Sequence, residues 1–119
     1  MDLKQLQQFQ EDFDKKHGWE NRVKGEMFFE KLKILTICLT GEIGEFANEL
    51  KKLLRDKKAG IDTKRKRLPK LKEELIDIFI FLLKTSITLG VDLEKEYFEK
   101  MKKSEKRFKK FEKNKSKQD

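Results

Sequence analysis

Two short stretches decide the fold: Leu39-Thr40-Gly41-Glu42-Ile43-Gly44-Glu45-Phe46-Ala47 and Glu73-Glu74-Leu75-Ile76-Asp77-Ile78. Each places a pair of acids three residues apart inside one of the two most apolar segments of the chain. Residues three apart on a helix share a face, so Glu42 and Glu45 point one way from one helix, and Glu74 and Asp77 one way from another. Packed together, the two helices offer four carboxylates to one hard cation. Magnesium and manganese are the ions that prefer such oxygen donors.

The apolar pattern around these acids argues for burial. Starting at Phe28, alternating steps of four and three pick out Phe28, Leu32, Leu35, Leu39, Glu42, Phe46, Glu49 and Leu53, the seam a bundle helix turns toward its neighbours. Glu42 and Glu49 thus stand where apolar residues belong. Asp77 is the acid most deeply embedded in apolar sequence, with Leu75 and Ile76 before it and the run Ile78 to Leu83 behind it. An unpaired carboxylate in such surroundings costs several kcal/mol or keeps its proton. A single pair of acids three apart is commonplace on a solvated helix face; two pairs, each interrupting an apolar stripe, point to a shared metal site.

Working outward, the chain reads as four helices with no strand-like alternation. A first helix runs from Asp2, its N-cap, to Lys16, burying Leu3, Leu6, Phe9 and Phe13, and ends at His17-Gly18. A second, long helix runs from about Gly25 or Glu26 to Lys57, with Gly44 inside it marking a close packing contact. The basic segment from Lys58 to Arg67 reads as a loop, and Pro69 fits the first turn of a third helix that stops at Gly90. Asp92 caps a fourth helix, with Glu94 and Glu96 in its first turn and lysines crowding its end, as the helix dipole favours. The third helix is apolar nearly all round, which asks for cover on most faces and therefore for association into a dimer or tetramer.

The expectation is thus an all-α, four-helix bundle-like domain over residues 1–111, its site built from helices 2, 3 and 4 and completed by dimerisation, followed by a basic, frayed tail at 112–119. The net charge of +8 sits in that end of the chain: residues 100 to 119 carry ten Lys or Arg against three acids, residues 1 to 99 twenty against nineteen. The one cysteine, Cys38, lies between Ile37 and Leu39 and reads as a small core residue, so no disulfide forms within the chain. The longest apolar run, Ile78 to Leu83, is too short to span a bilayer, and the first residues lack the blocks of a signal peptide, so the chain reads as cytoplasmic with no membrane partner.

These motifs, together with Gly90-Val91-Asp92-Leu93-Glu94 and the segment from Lys100 to Phe108, resemble the MazG-like family of all-α nucleoside triphosphate pyrophosphohydrolases over roughly residues 5 to 110. The family pattern is Glu-x-x-Glu, a spacer, Glu-x-x-Asp, and a later helix bearing Lys, Asn and Arg. The resemblance implies hydrolysis of the bond between the α and β phosphates of a nucleoside triphosphate, with a deoxynucleoside triphosphate in pool house-cleaning the expected substrate, to monophosphate and pyrophosphate with Mg2+ as cofactor and Mn2+ as a substitute. Carried over, Glu42, Glu45, Glu74 and Asp77 are metal ligands, Glu42 and Glu45 serve the catalytic step with Glu45 as base, and Lys100 and Arg107 contact phosphates. Ser104 stands where the family commonly has Asn. The spacer of twenty-eight residues between Glu45 and Glu74 is long for the family, and Gly41 replaces a frequent further acid. Phe13 and His17-Gly18-Trp19-Glu20 resemble the deoxycytidine-triphosphatase-like branch, in which an aromatic and a His line the base pocket; alternatively Trp19 simply packs the loop against the bundle.

Two other classes are weighed. A ferritin-like di-iron bundle needs two Glu-x-x-His units, and the lone His17 is remote from both acidic pairs. A non-catalytic helical module that binds nucleic acid through the basic loop and tail suits the charge, but the tail has few interleaved aromatics beyond Phe108 and Phe111 and no base-reading motif, so a nucleic-acid partner is not favoured.

Overall fold

The computed structural model describes residues 1–112, and among them there are four α-helices, a terminal 3-10 turn and no strand. Helix α1 spans Leu3–Lys16, α2 Glu26–Lys58, α3 Lys64–Leu89 and α4 Leu93–Arg107, with the 3-10 turn at Lys109–Phe111. The all-α expectation holds. Residues 113–119 of the predicted tail lie outside the described residues. No helix is long and apolar enough to cross a membrane among those described.

Local chemistry explains most of the boundaries. Asp2 accepts from the Gln5 backbone N–H at 2.8 Å while the Gln5 side chain accepts from the Asp2 N–H at 2.8 Å, a reciprocal capping box that starts α1. Asp92 accepts from the Lys95 N–H at 3.2 Å and starts α4. Gly90 ends α3 in the left-handed conformation, φ +71°, that other residues rarely adopt.

The start of α3 departs from the sequence expectation. The helix begins at Lys64, inside the segment read as loop, so Pro69 lies within it rather than in its first turn. Asp56, near the end of α2, is the cause: its carboxylate accepts from Thr63 Oγ1 at 2.8 Å and from Arg67 Nε at 2.7 Å, and the Arg67 N–H closes a turn onto the Thr63 carbonyl at 2.8 Å. These bonds hold the extra turn that Pro69, lacking an N–H, cannot help to form. The hydrogen bonds from Arg67 and Thr63 also hold the Asp56 carboxyl below the usual Asp range.

Helices α2 and α3 form a long antiparallel hairpin, and α1 lies across α3 with α4 packed against α1. The predicted seam of α2 is observed: Phe28, Leu32, Leu39, Phe46 and Leu53 are half-buried and Leu35 is buried. Only Leu35, Leu83 and Ile87 are fully buried apolar side chains, however. Ile34, Ile37, Ile43 and Leu54 of α2 and Leu75, Ile76, Leu82 and Leu89 of α3 are exposed, so the cover expected over most of α3 is not supplied by this chain. The radius of gyration is 19.3 Å, against about 13.5 Å for a self-contained domain of this length.

Two further expectations are corrected. Helix α1 turns its polar side inward: Gln7, Gln10, Glu11 and Asp14 are buried, whereas Leu3 and Leu6 are only half-buried and Phe9 and Phe13 are exposed. The inner face meets fixed polar partners, which reward amides and carboxylates. Gln7 Nε2 donates to Ser86 Oγ and to the Val91 carbonyl, both at 2.8 Å, and Gln7 Oε1 accepts from the Leu93 N–H at 3.2 Å, so one side chain joins α1, α3 and α4. Glu11 pairs with Arg22. At Gly44 the space is open, with nothing within 4 Å of where a Cβ would stand, so the close contact inferred there does not occur within the chain.

Candidate active site

The seam between α2 and α3 carries a row of charges whose partners separate structure from function. Glu49 is half-buried and neutralised, with Lys52 Nζ at 3.4 Å and Arg67 at 3.8 Å. Its place on the apolar stripe is thereby explained without a ligand. Arg67 itself is fixed by Asp56.

Two turns nearer the middle of α2 the balance reverses. Glu42, Glu45 and Glu74 bring carboxylate oxygens within 4.8 Å of one another. Glu74 is buried, Glu42 half-buried and Glu45 exposed. One oxygen of Glu42 and one of Glu74 are buried without a hydrogen-bond partner. Burial raises the Glu42 pKa above the ordinary carboxylate value, and the neighbouring charges of Glu45, Asp77 and Glu74 raise it further. Asp77, the fourth expected ligand, is not among the acids that converge within 4.8 Å, although its charge acts on Glu42. It is half-buried, and Glu74 rather than Asp77 is the most deeply buried of the four, because part of the apolar run around Asp77 faces outward.

This donor set fits a hard divalent cation. All the donors are carboxylate oxygens, they converge from two helices, and two of them are desolvated and unsatisfied, a state that charge repulsion and lost hydration both disfavour. The only cation paired with the cluster among the described residues is Lys70, whose Nζ lies 3.2 Å from Glu74 Oε1. Sequence reasoning missed it, although its place four residues before Glu74 puts it on the same face of α3.

Farther along that face, in steps of three and four from Asp77, stand Phe81 and Lys84. Lys84 Nζ is 3.4 Å from Asp14 Oδ1 and lies 4.8 Å from the Trp19 ring centre and 5.3 Å from that of Phe81. Trp19 is half-exposed, with the His17 ring 6.0 Å away and Phe13 4.3 Å beyond His17. His17 Nδ1 is 2.6 Å from the Phe13 carbonyl, to which it donates. Behind them Asn21 is buried and donates from Nδ2 to Asp14 Oδ2 at 2.6 Å, while its own Oδ1 is buried without a partner. The expected aromatic group therefore exists as a cluster on the same face of α3 as Glu74 and Asp77. Lys84 and Asn21, which no motif marked, belong to it.

The cations expected from the fourth helix are not gathered to the acids within the chain. Lys100 and Arg107 are exposed and Ser104 is half-buried; neither cation pairs with any of the four acids, and the Arg107 guanidinium lies 4.7 Å over the Phe108 ring. Beyond its first turn, α4 exposes Tyr97, Phe98 and Met101, and Phe108 is exposed at its C-cap.

Comparison with known proteins adds one finding. No curated protein and no solved structure matches the chain. A family model described as dUTPase matches residues 2–118. The four-helix architecture agrees with that all-helical family, and a match over nearly the whole chain makes this protein a member of the dUTPase_2 family, among the hydrolases of nucleoside triphosphates.

Proposed function

We propose that the chain hydrolyses a deoxynucleoside triphosphate, dUTP first among them, to the monophosphate and pyrophosphate, with magnesium held by Glu42, Glu45, Glu74 and Asp77. The observation that carries this is the convergence of three carboxylates with two buried, unpartnered oxygens on the α2–α3 seam. The family description supports dUTP as the substrate to try first. Bound magnesium supplies the positive charge that lets a polyanion approach these acids and lowers the pKa of water at the site.

The chain's own groups divide the remaining work. Glu45, the most exposed of the three converging acids, takes the proton of the attacking water. That water adds to the α phosphorus as the bond to the α-β bridging oxygen breaks, and pyrophosphate departs. Lys100 and Arg107 hold the β and γ phosphates, Arg107 through its bidentate fork, with Ser104 between them on the helix. Trp19 and His17 offer flat faces to the base. A second copy of the chain covers the exposed apolar faces of α2 and α3 and completes the site.

The test is product analysis. With magnesium, dUTP is expected to yield dUMP and pyrophosphate, and a chelator abolishes the reaction; a panel of other ribo- and deoxynucleoside triphosphates ranks the substrates. Formation of dUDP and orthophosphate, or no turnover of any nucleotide, overturns the proposal.

A further inference from the structure

We propose that Lys70 is a substrate-binding residue that changes partner: its ammonium neutralises Glu74 in the protein alone and moves to the β and γ phosphates when a divalent cation takes that carboxylate. The proposal rests on the function proposed above and adds a residue that neither the acidic motifs nor the cations of α4 include.

Three cations lie on the face of α3 that carries Glu74 and Asp77, and their environments differ. Arg67 is locked: its side chain is 18% exposed, and it is fixed by Asp56 at 2.7 Å with Glu49 at 3.8 Å. Lys84 is held as well, 15% exposed, against a fully buried Asp14 and near two aromatic rings. Lys70 has a single ionic partner, Glu74, and its side chain is 51% exposed while that of Glu74 is 4% exposed. An ordinary lysine–glutamate pair four apart on a helix lies in solvent and contributes little. Here the carboxylate is buried beside those of Glu42 and Glu45 and its second oxygen has no partner.

A compact ammonium on a flexible stem suits exchange better than a guanidinium fork does. A divalent ion on Glu74 takes up the carboxylate oxygens that Lys70 held and halves the negative charge of the four acids, so the attraction there weakens. The phosphate chain that the ion brings to the acids then offers the ammonium a denser negative charge than Glu73, the solvated acid that also acts on Lys70. Lys70 thus competes with the metal in the protein alone and assists the nucleotide in the complex.

The two roles give opposite signs in one variant. Lys70→Met is expected to bind magnesium more tightly than the parent in a calorimetric titration of the protein alone. With dUTP, the same variant is expected to show a KM raised at least about tenfold, the loss of one charged hydrogen bond, with a smaller change in kcat. Lys70→Arg should restore most of the KM, and Lys70→Gln serves in place of Lys70→Met if the latter does not fold. Unchanged or weakened magnesium binding in Lys70→Met, or an unchanged KM, overturns the proposal; a merely structural pair would lower the melting temperature and leave both quantities alone. If the parent neither binds magnesium nor cleaves dUTP, the proposed function fails and this role with it. If the parent does both and Lys70→Met alters neither, the role of Lys70 alone is lost.

Discussion

Replacing Glu42 with Gln in the protein held free of metal separates a ligand from a structural acid. Glu42, Glu45 and Glu74 carry oxygens within 4.8 Å of one another. Two unit charges at that distance repel by about 0.9 kcal/mol in water and about 3.5 kcal/mol at an effective dielectric constant of 20. Glu42 faces two such neighbours and, through its raised pKa, Asp77 as well. Its half-exposed setting discounts the sum, so Glu42→Gln should stabilise the metal-free protein by roughly 1 to 3 kcal/mol at about pH 8, with about 4 °C of melting temperature per kcal/mol.

The pH dependence fixes the sign. The folded pKa lies above the ordinary 4.5, so as pH rises the unfolded chain releases this proton first. The protonated folded state is favoured at low pH, and the parent loses that advantage as pH climbs from the unfolded value through the raised folded one. The gap between Glu42→Gln and parent should therefore open with rising pH and close toward about pH 4. Thermal unfolding followed by circular dichroism, with chelator, measures it. With magnesium at a hundred times its dissociation constant the parent should gain about 2.7 kcal/mol, and the variant far less. A variant that melts below the parent at high pH, or a gap that ignores pH, would refute the metal-ligand role.

Arg107→Ala should lower kcat/KM for dUTP by about 1.5 to 3 kcal/mol of transition-state binding while leaving the magnesium-induced melting shift of the protein alone intact; parent-like turnover at low substrate would make Arg107 a solvated surface residue. Leu82→Asp, on the open apolar face of α3, should convert a dimeric parent to a monomer with a lower melting temperature in sedimentation and unfolding experiments. A monomeric parent would show that the exposed α2 and α3 faces are not covered by a second copy.

Much of this architecture is legible in the amino-acid pattern because it depends on spacing along one helix. The seam from Phe28 to Leu53, the caps at Asp2 and Asp92, the stop at Gly90 and the convergence of Glu42, Glu45 and Glu74 all follow from periodicity and local chemistry. The rest depends on partners distant in sequence. Glu49 and Glu42 look alike on the stripe, and only Arg67 and Lys52 mark Glu49 as structural. The extra turn at the start of α3 comes from Asp56 bonding seven and eleven residues ahead. Periodicity shows that α1 has an apolar face and a polar one but cannot say which of them meets the rest of the chain.

The Gln7 junction ties events at opposite ends of synthesis together. Its bonds to Val91 and Leu93 span 84 and 86 residues, so α1 cannot acquire its final neighbours until nearly the whole described chain has been made. At translation rates of about 5 to 20 residues per second, that is a delay of roughly 4 to 17 seconds. Meanwhile the α2–α3 hairpin, closed by the short-range bonds of Asp56, can already form, and Gln7 on the polar inner face of α1 waits for its partners at Val91 and Leu93. The earliest-made of the four helices is thus among the last to be fastened, which leaves α1 open to capture by chaperones while the hairpin is already in place.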